Sequence, residues 1–104
     1  MLNITKENFE AEVEKAESLV VIDLYADWCG PCKMLAPVVD RISERYAGKV
    51  KVCKVNVDEA YPIAAAFGIQ SIPTVIIFKD GELYDKSIGL VSEEELSLML
   101  DKAL

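Results

Sequence analysis

Two cysteines separated by two residues are the part of this 104-residue chain best suited to chemistry. Cys29 and Cys32 lie within the hexapeptide Trp-Cys-Gly-Pro-Cys-Lys, residues 28–33. The segment between them is short enough for the sulfurs to meet, so the pair could switch between a dithiol and a disulfide. Zinc binding uses the same spacing. Three cysteines and no histidine cannot supply two such arms to a four-ligand zinc site, so we expect no metal.

The elements around the hexapeptide place the cysteines where a strand passes into a helix. The apolar run from Leu19 to Tyr25 predicts a strand, and apolar residues at steps of three and four after Cys32 predict a helix to about Tyr46. N–H groups in the first turn of a helix lack partners within it and favour negative charge. A thiolate is such a charge, so Cys29 should ionise more readily than a free cysteine. Pro31 fits the first turn because no backbone donor is needed there.

This stretch resembles the thioredoxin family, whose active-site signature is the same hexapeptide between a strand and a helix. The resemblance extends along nearly the whole chain. It implies a protein-disulfide reductase, an enzyme that reduces disulfide-containing proteins by thiol–disulfide exchange, with Cys29 attacking and Cys32 resolving. It also implies that a thioredoxin reductase drawing electrons from NADPH restores the dithiol, and that this chain itself binds no cofactor.

The remaining pattern predicts an α/β fold in one domain, residues 1–104. Strands are predicted at residues 2–4, 19–25, 50–57, 74–78 and 83–88, and helices at 6–17, after the motif to 46, at 59–67 and from 92 onward. Thr5 is the predicted N-cap of the first helix, Asp80 and Gly81 predict a hairpin turn, and Ser92 opens a capping box. This order predicts a mixed sheet with helices on both faces. The resemblance implies the thioredoxin fold, a central five-stranded mixed sheet flanked by four helices.

Asp23 and Lys54 interrupt the apolar pattern of the two strands predicted to be central. Alternation puts Asp23 on the face of Tyr25 and Lys54 on the face of Val52. A buried charge needs a partner or water, so the strands should be neighbours and the two groups should approach each other. By residue type alone, a structural ion pair or a strand end open to solvent is an alternative to catalysis. The resemblance implies that an aspartate here handles the proton of Cys32, with a lysine beside it.

Two further features concern the surroundings of this pair. We expect burial to raise the pKa of Asp23, because Lys54 is the only cation in sight to oppose it. Tyr25 stands where the family often carries tryptophan, and its hydroxyl needs a partner if buried. Cys53 lies outside the hexapeptide, on the strand face opposite Lys54, and we expect it to be a small buried apolar side chain without a redox role.

The segment around Pro73 is the second functional stretch. The residues alone favour an ordinary turn before a strand, since few X–Pro bonds are cis. The resemblance implies instead a cis Ile72–Pro73 bond packed against the cysteines, with the preceding backbone binding the substrate as an added strand. It places four more residues on the substrate-binding surface: Trp28, Gly30, Pro31 and Gly89. By residue type alone, the Trp28 ring could equally belong to the core and Gly89 to a turn.

Charge and hydropathy limit the partners. A net charge of −7 argues against nucleic acid or an anionic membrane surface. No apolar run is long enough to cross a bilayer, so no membrane partner is expected. The segment Met1–Glu7 turns polar at once, unlike a signal peptide, so we expect a cytoplasmic location. We also expect a monomer.

Two other functions remain open at this point. One is a disulfide oxidase or isomerase on the same scaffold. The missing signal peptide argues against it. The Gly-Pro dipeptide between the cysteines also argues against it, since oxidants of this fold often carry a histidine there. The other is a thioredoxin-fold binding subunit of a larger complex that needs no redox chemistry. Cys29, Cys32, Asp23 and Pro73 argue against that as the sole role.

Overall fold

A mixed five-stranded sheet forms the centre of the protein in a computed structural model that describes residues 1–104. Its strands are β1 (Leu2–Asn3), β2 (Leu19–Tyr25), β3 (Val50–Asn56), β4 (Thr74–Lys79) and β5 (Glu82–Ile88). Three α-helices alternate with the strands along the chain: α1 (Gly30–Arg45) after β2, α2 (Tyr61–Ala66) after β3 and α3 (Glu93–Ala103) after β5. A π-helical segment, Glu10–Glu14, lies between β1 and β2. The five strands and four helices confirm the predicted α/β architecture. None of the helices is both long and apolar enough to cross a membrane.

The strand order β1-β3-β2-β4-β5 makes β2 the central strand. It pairs in parallel with β3 and antiparallel with β4, while β1 and β5 form the two edges. Six of the seven β2 residues are buried, which is why this strand is apolar without alternation. The predictions of a buried central β2 beside β3 and of a short edge strand at the N-terminus are confirmed.

Helices cover the sheet on both faces, so the core has two layers. Side chains of β2, β3 and β4 pack with α1 and α3 on one face, in a cluster that includes Val21, Leu35, Val39, Ile77, Leu96 and Leu100. Alternate side chains of the same strands pack with α2 and the N-terminal segment on the other face, in a cluster that includes Ile4, Val13, Ile22, Cys53, Ile63 and Ile76. Asp23 shares the first face with Val21, because side chains two apart along a strand point the same way.

The first helix is shorter than predicted. In place of a helix over residues 6–17, the structure has a turn followed by the π-helical segment Glu10–Glu14. Thr5 does not cap with its side chain; instead its N–H donates to Asn8 Oδ1 at 2.7 Å. Helical hydrogen bonding does begin at Thr5, because the Phe9 N–H donates to the Thr5 carbonyl at 3.0 Å. The pattern then widens to that of a π-helix, with the Lys15 N–H donating to the Glu10 carbonyl at 2.9 Å. The segment still buries Val13.

The other helix and turn signals are confirmed. Helix α1 ends at Arg45, and α2 lies within its predicted range. The Ser92 hydroxyl accepts a hydrogen bond from the Glu95 N–H at 3.1 Å and so caps α3. Asp80 and Gly81 both have positive φ, 53° and 80°, as a primed two-residue turn between β4 and β5 requires.

The β4–β5 turn generates a prediction about packing. At Gly81 a Cβ would collide with the backbone carbonyl of Glu14, whereas at Gly48, which also has positive φ, a Cβ would meet open space. Left-handed backbone costs an alanine about 1 kcal/mol or more at either site. We therefore expect Gly81→Ala to lower the free energy of unfolding more than Gly48→Ala does. Denaturant titration measures both, and equal losses would contradict close packing of the turn on Glu14.

Candidate active site

The β2–α1 junction holds the two cysteines. Cys29 caps α1 and Cys32 lies in its first turn, and the two form a disulfide with their Cα atoms 5.3 Å apart. The Cys32 N–H donates to Cys29 Sγ at 3.2 Å. The sulfur therefore stands where a capping oxygen would normally satisfy a first-turn donor. The predicted meeting of the sulfurs at the helix N-terminus is confirmed.

The disulfide is buried but lies next to an open edge. Cys29 and Cys32 are only 5% and 4% exposed. Gly30 and Pro31 between them are exposed, and the Trp28 side chain is 71% exposed. A partner molecule can therefore approach over these three residues without any rearrangement of the core.

Trp28 lies at the rim of the site. Its residue type alone would also have allowed a position in the core. Its ring nitrogen Nε1 donates to Asp58 Oδ2 at 2.8 Å. Asp58 lies just after β3, and the sequence analysis did not single it out. One acidic residue in a polar turn gives no signal that it will reach an aromatic ring thirty positions away.

The Ile72–Pro73 segment packs against the cysteines. Its peptide bond is cis, and the Ile72 carbonyl oxygen lies 3.9 Å from Cys29 Sγ. Pro73 is buried, while Ile72 is half-buried and packs on the cluster that contains both cysteines. The Gly89 N–H donates to the Pro73 carbonyl at 2.8 Å, which brings Gly89 to the same segment. The implied cis bond and its contact with the cysteines are confirmed.

Asp23 lies in β2 at the wall of a cavity that also reaches Cys32. The cavity has a volume of about 450 Å³, and Lys54 lines it as well. Asp23 is only 6% exposed, and its Oδ1 atom has no hydrogen-bond partner. An ionised carboxylate in this position is therefore poorly solvated. The cavity provides a path along which a proton could pass between Asp23 and solvent.

Burial raises the pKa of Asp23 to about 6. The positive charge of Lys54 opposes this shift and the negative charge of Asp40 adds to it, but desolvation dominates. The prediction that burial outweighs Lys54 is confirmed. Asp40 was missed, because it lies on an exposed position of α1 where an acidic residue is ordinary.

Lys54 is the direct neighbour of Asp23 across the parallel β2–β3 pair, as predicted. The two do not form an ion pair, since none of the salt bridges in the structure includes either residue. Instead, the Lys54 ammonium lies 5.5 Å from the centroid of the Tyr25 ring. A cation is attracted to the face of an aromatic ring, and from this position the Lys54 charge lowers the pKa of Asp23 without forming an ion pair with it.

Cys53 lies on the opposite face of the sheet, as predicted. It is a free cysteine with no exposed surface, and burial raises the pKa of its thiol to about 11. A thiol that stays protonated is a poor nucleophile. It therefore behaves as a small apolar side chain of the second core layer.

The fold and the site define a thiol–disulfide oxidoreductase. The family model described as Thioredoxin matches residues 1–102 of the chain. The chain is 44% identical to a thioredoxin of Pseudomonas aeruginosa over 97% of its own length and 94% of the relative. It is 45% identical to a thioredoxin of Rickettsia felis over 98% and 97%, and 48% identical to thioredoxin 1 of a Nostoc species over 97% and 94%.

The chain belongs to the thioredoxin family. The five-stranded mixed sheet with its four helices is accordingly the thioredoxin fold. The chain is a protein-disulfide reductase that acts by thiol–disulfide exchange through the Cys29–Cys32 pair.

The raised pKa of Asp23 predicts how stability depends on pH. Its folded value of about 6 lies above the ordinary value of 3.8, so the folded protein holds this proton more tightly than the unfolded chain does. The resulting stability is complete below about pH 4 and is lost as the pH rises through about 6. We therefore expect Asp23→Asn to stabilise the protein near pH 7, by up to about 3 kcal/mol, and to have little effect near pH 4.

Denaturant unfolding at both pH values tests this prediction. Asp85→Asn, on the exposed edge strand β5, removes the same charge without a buried carboxyl and should change stability little at either pH. If Asp23→Asn were clearly less stable than wild type near pH 7, the Asp23 carboxylate would stabilise the fold as an electrostatic partner of Lys54, contrary to this prediction.

Proposed function

We propose that Cys29 is the attacking thiolate, that Cys32 is the resolving thiol and that Asp23 accepts the Cys32 proton. The observation that carries this proposal is the Asp23 carboxyl group, buried and without a partner on Oδ1, in a cavity that Cys32 also lines. A carboxyl with a pKa of about 6 is ionised at neutral pH yet is a better base than an ordinary aspartate. Lys54, beside it in β3, keeps that pKa from rising further.

The reaction proceeds in two exchange steps. Cys29 thiolate attacks one sulfur of the substrate disulfide, so that an intermolecular S–S bond forms and the substrate S–S bond breaks. The first substrate sulfur leaves as a thiolate and takes a proton from solvent. Cys32 then gives its proton to Asp23 and attacks Cys29. The second substrate sulfur leaves as a thiolate and takes up a proton, and Asp23 releases the Cys32 proton to solvent through the cavity. Two electrons have then passed to the substrate, and the Cys29–Cys32 disulfide remains.

The substrate chain would bind as an added strand beside Ile72. Neither the N–H nor the carbonyl of Ile72 takes part in a backbone–backbone hydrogen bond, so both are free to pair with a partner strand. The Ile72 carbonyl is also close to Cys29 Sγ, which aligns an added strand with the attacking sulfur. Around this segment we assign the substrate-binding surface to Trp28, Gly30, Pro31, Ile72, Pro73 and Gly89.

Recycling needs a reductase, because each turnover leaves the dithiol oxidised. We assign this role to a thioredoxin reductase that draws electrons from NADPH, as membership of the family supports. A compartment that keeps thiols reduced suits such a cycle, and the free thiol of Cys53 is compatible with it, so we place the protein in the cytoplasm. We further propose a single-domain monomer, since both core layers close within the chain and leave the site rim open.

The order of the two cysteines gives the test. We expect Cys29→Ser to abolish reduction of a protein disulfide, because no attacking thiolate remains. Cys32→Ser should instead accumulate covalent complexes with the substrate, because the mixed disulfide forms but cannot be resolved. Turnover assays and non-reducing gels measure the two outcomes.

Cys53→Ala is the matched control for these variants. It also removes one thiol, yet should keep turnover and cost roughly 1 kcal/mol of stability for a lost small apolar group. Accumulation of complexes with Cys29→Ser and none with Cys32→Ser would reverse the two roles. A tenfold loss of turnover in Cys53→Ala, with the fold intact, would instead assign chemistry to the third cysteine.

A further inference from the structure

Asp40 has no part in the mechanism described so far, yet it lines the same cavity as Asp23. It is two helical turns from Cys32 along α1, and Ala36 lies between them. Residues four apart on a helix share a face, so these three form one stripe along the cavity wall. The small side chain of Ala36 leaves the cavity open between Asp40 and Asp23.

The charges around this cavity are unpaired. On the sheet wall are Asp23, the Tyr25 ring and Lys54, and on the helix wall is Asp40. None of the salt bridges or side-chain hydrogen bonds in the structure includes Asp40. The Lys54 ammonium lies over the Tyr25 ring. Asp23 and Asp40 therefore line one cavity without an ion pair to neutralise either of them.

Other ionisable groups complete the surroundings. Asp27 from the loop after β2 and Lys33 from the first turn of α1 also line the cavity, as does the disulfide-bonded Cys32. Met1 lines it beside β1. Among the groups other than Asp23, only Lys54 and Asp40 move its proton affinity appreciably, and they act in opposite directions.

We propose that Asp40 is a positioning residue for the resolving step, whose negative charge across the cavity strengthens Asp23 as the acceptor of the Cys32 proton. The inference rests on the proposed role of Asp23. Two nearby carboxylates disfavour each other's ionised form, so each binds a proton more tightly than it would alone. A stronger base takes the Cys32 proton more readily once it is ionised, but it becomes ionised only at a higher pH. Asp40 would thereby set the pH range in which the enzyme resolves mixed disulfides.

The variant that tests this is Asp40→Asn, which removes the charge and keeps the size of the side chain. Carbon-13 NMR titration of the oxidised protein should show the pKa of Asp23 lowered, by roughly 0.5 for a charge acting across solvent-accessible space. Stopped-flow measurement of the resolving step should show a higher rate than wild type below about pH 6 and a lower rate, by about 1.5-fold to 2-fold, at alkaline pH. A residue with a merely structural role would not make the two pH profiles cross.

Two further variants isolate the effect. Asp40→Glu keeps the charge and should restore the wild-type profile. Glu44→Gln removes a charge one turn further along α1, from a residue that does not line the cavity, and should leave the pKa of Asp23 and the profile unchanged. An equal shift in Glu44→Gln would overturn the inference by showing a general effect of net charge.

The outcomes separate this inference from the proposed function. If the pKa of Asp23 does not fall in Asp40→Asn, the inference is wrong, while the assignment of Cys29 and Cys32 stands on the trapping experiment. If the pKa falls but the acid limb of the resolving rate stays in place, Asp23 is not the acceptor of the Cys32 proton. That result would overturn both the inference and the proposed role of Asp23.

Discussion

The hydrogen bond from the Cys32 N–H to Cys29 Sγ is the interaction on which the site depends. It exists because β2 ends and α1 begins within a few residues, so that a sulfur takes the place of the capping oxygen. The burial of β2 between two core layers fixes the strand end, and the packing of Leu35 and Val39 fixes the helix. A thiolate generated on Cys29 is therefore stabilised by backbone dipoles that the fold has already oriented. The segment at Ile72 and Pro73 is held against the same sulfur.

Asp23, the proposed proton acceptor, lies where an ionised group lowers stability. A carboxyl group on an apolar strand face beside Val21 would be replaced by an apolar side chain if stability alone mattered. Lys54 could have neutralised it, but the ammonium lies over the Tyr25 ring instead. Burial therefore keeps the pKa of the carboxyl raised, and the cavity connects it to solvent. The same features that make Asp23 costly for folding suit the role proposed for it, as acceptor of the Cys32 proton.

Much of this arrangement could be predicted from the sequence, because it depends on local patterns. The apolar run of β2, the capping signals and the hexapeptide identify the elements and the dithiol, and the alternation along β2 and β3 places Asp23 beside Lys54. The short π-helical form of the N-terminal segment could not be predicted, since residue propensities do not distinguish its i→i−5 hydrogen bonds from those of an α-helix. Asp58 and Asp40 were missed for a related reason: each matters through a partner distant in sequence. The cis bond before Pro73 came from the family resemblance and not from the residues.

The Cys29–Cys32 dithiol is poised to reduce other proteins. Gly30 and Pro31 carry no cation that could stabilise the Cys29 thiolate. The thiolate is therefore stabilised by the helix N-terminus alone, and the reduced form is not unusually stable. The most direct measurement is the reduction potential of the Cys29–Cys32 pair in equilibrium with glutathione. The reduction potential of a reductase should be about −270 mV, which is the general reference value for thioredoxin. A potential of about −120 to −180 mV, in the range of oxidants and isomerases of disulfides, would contradict the account.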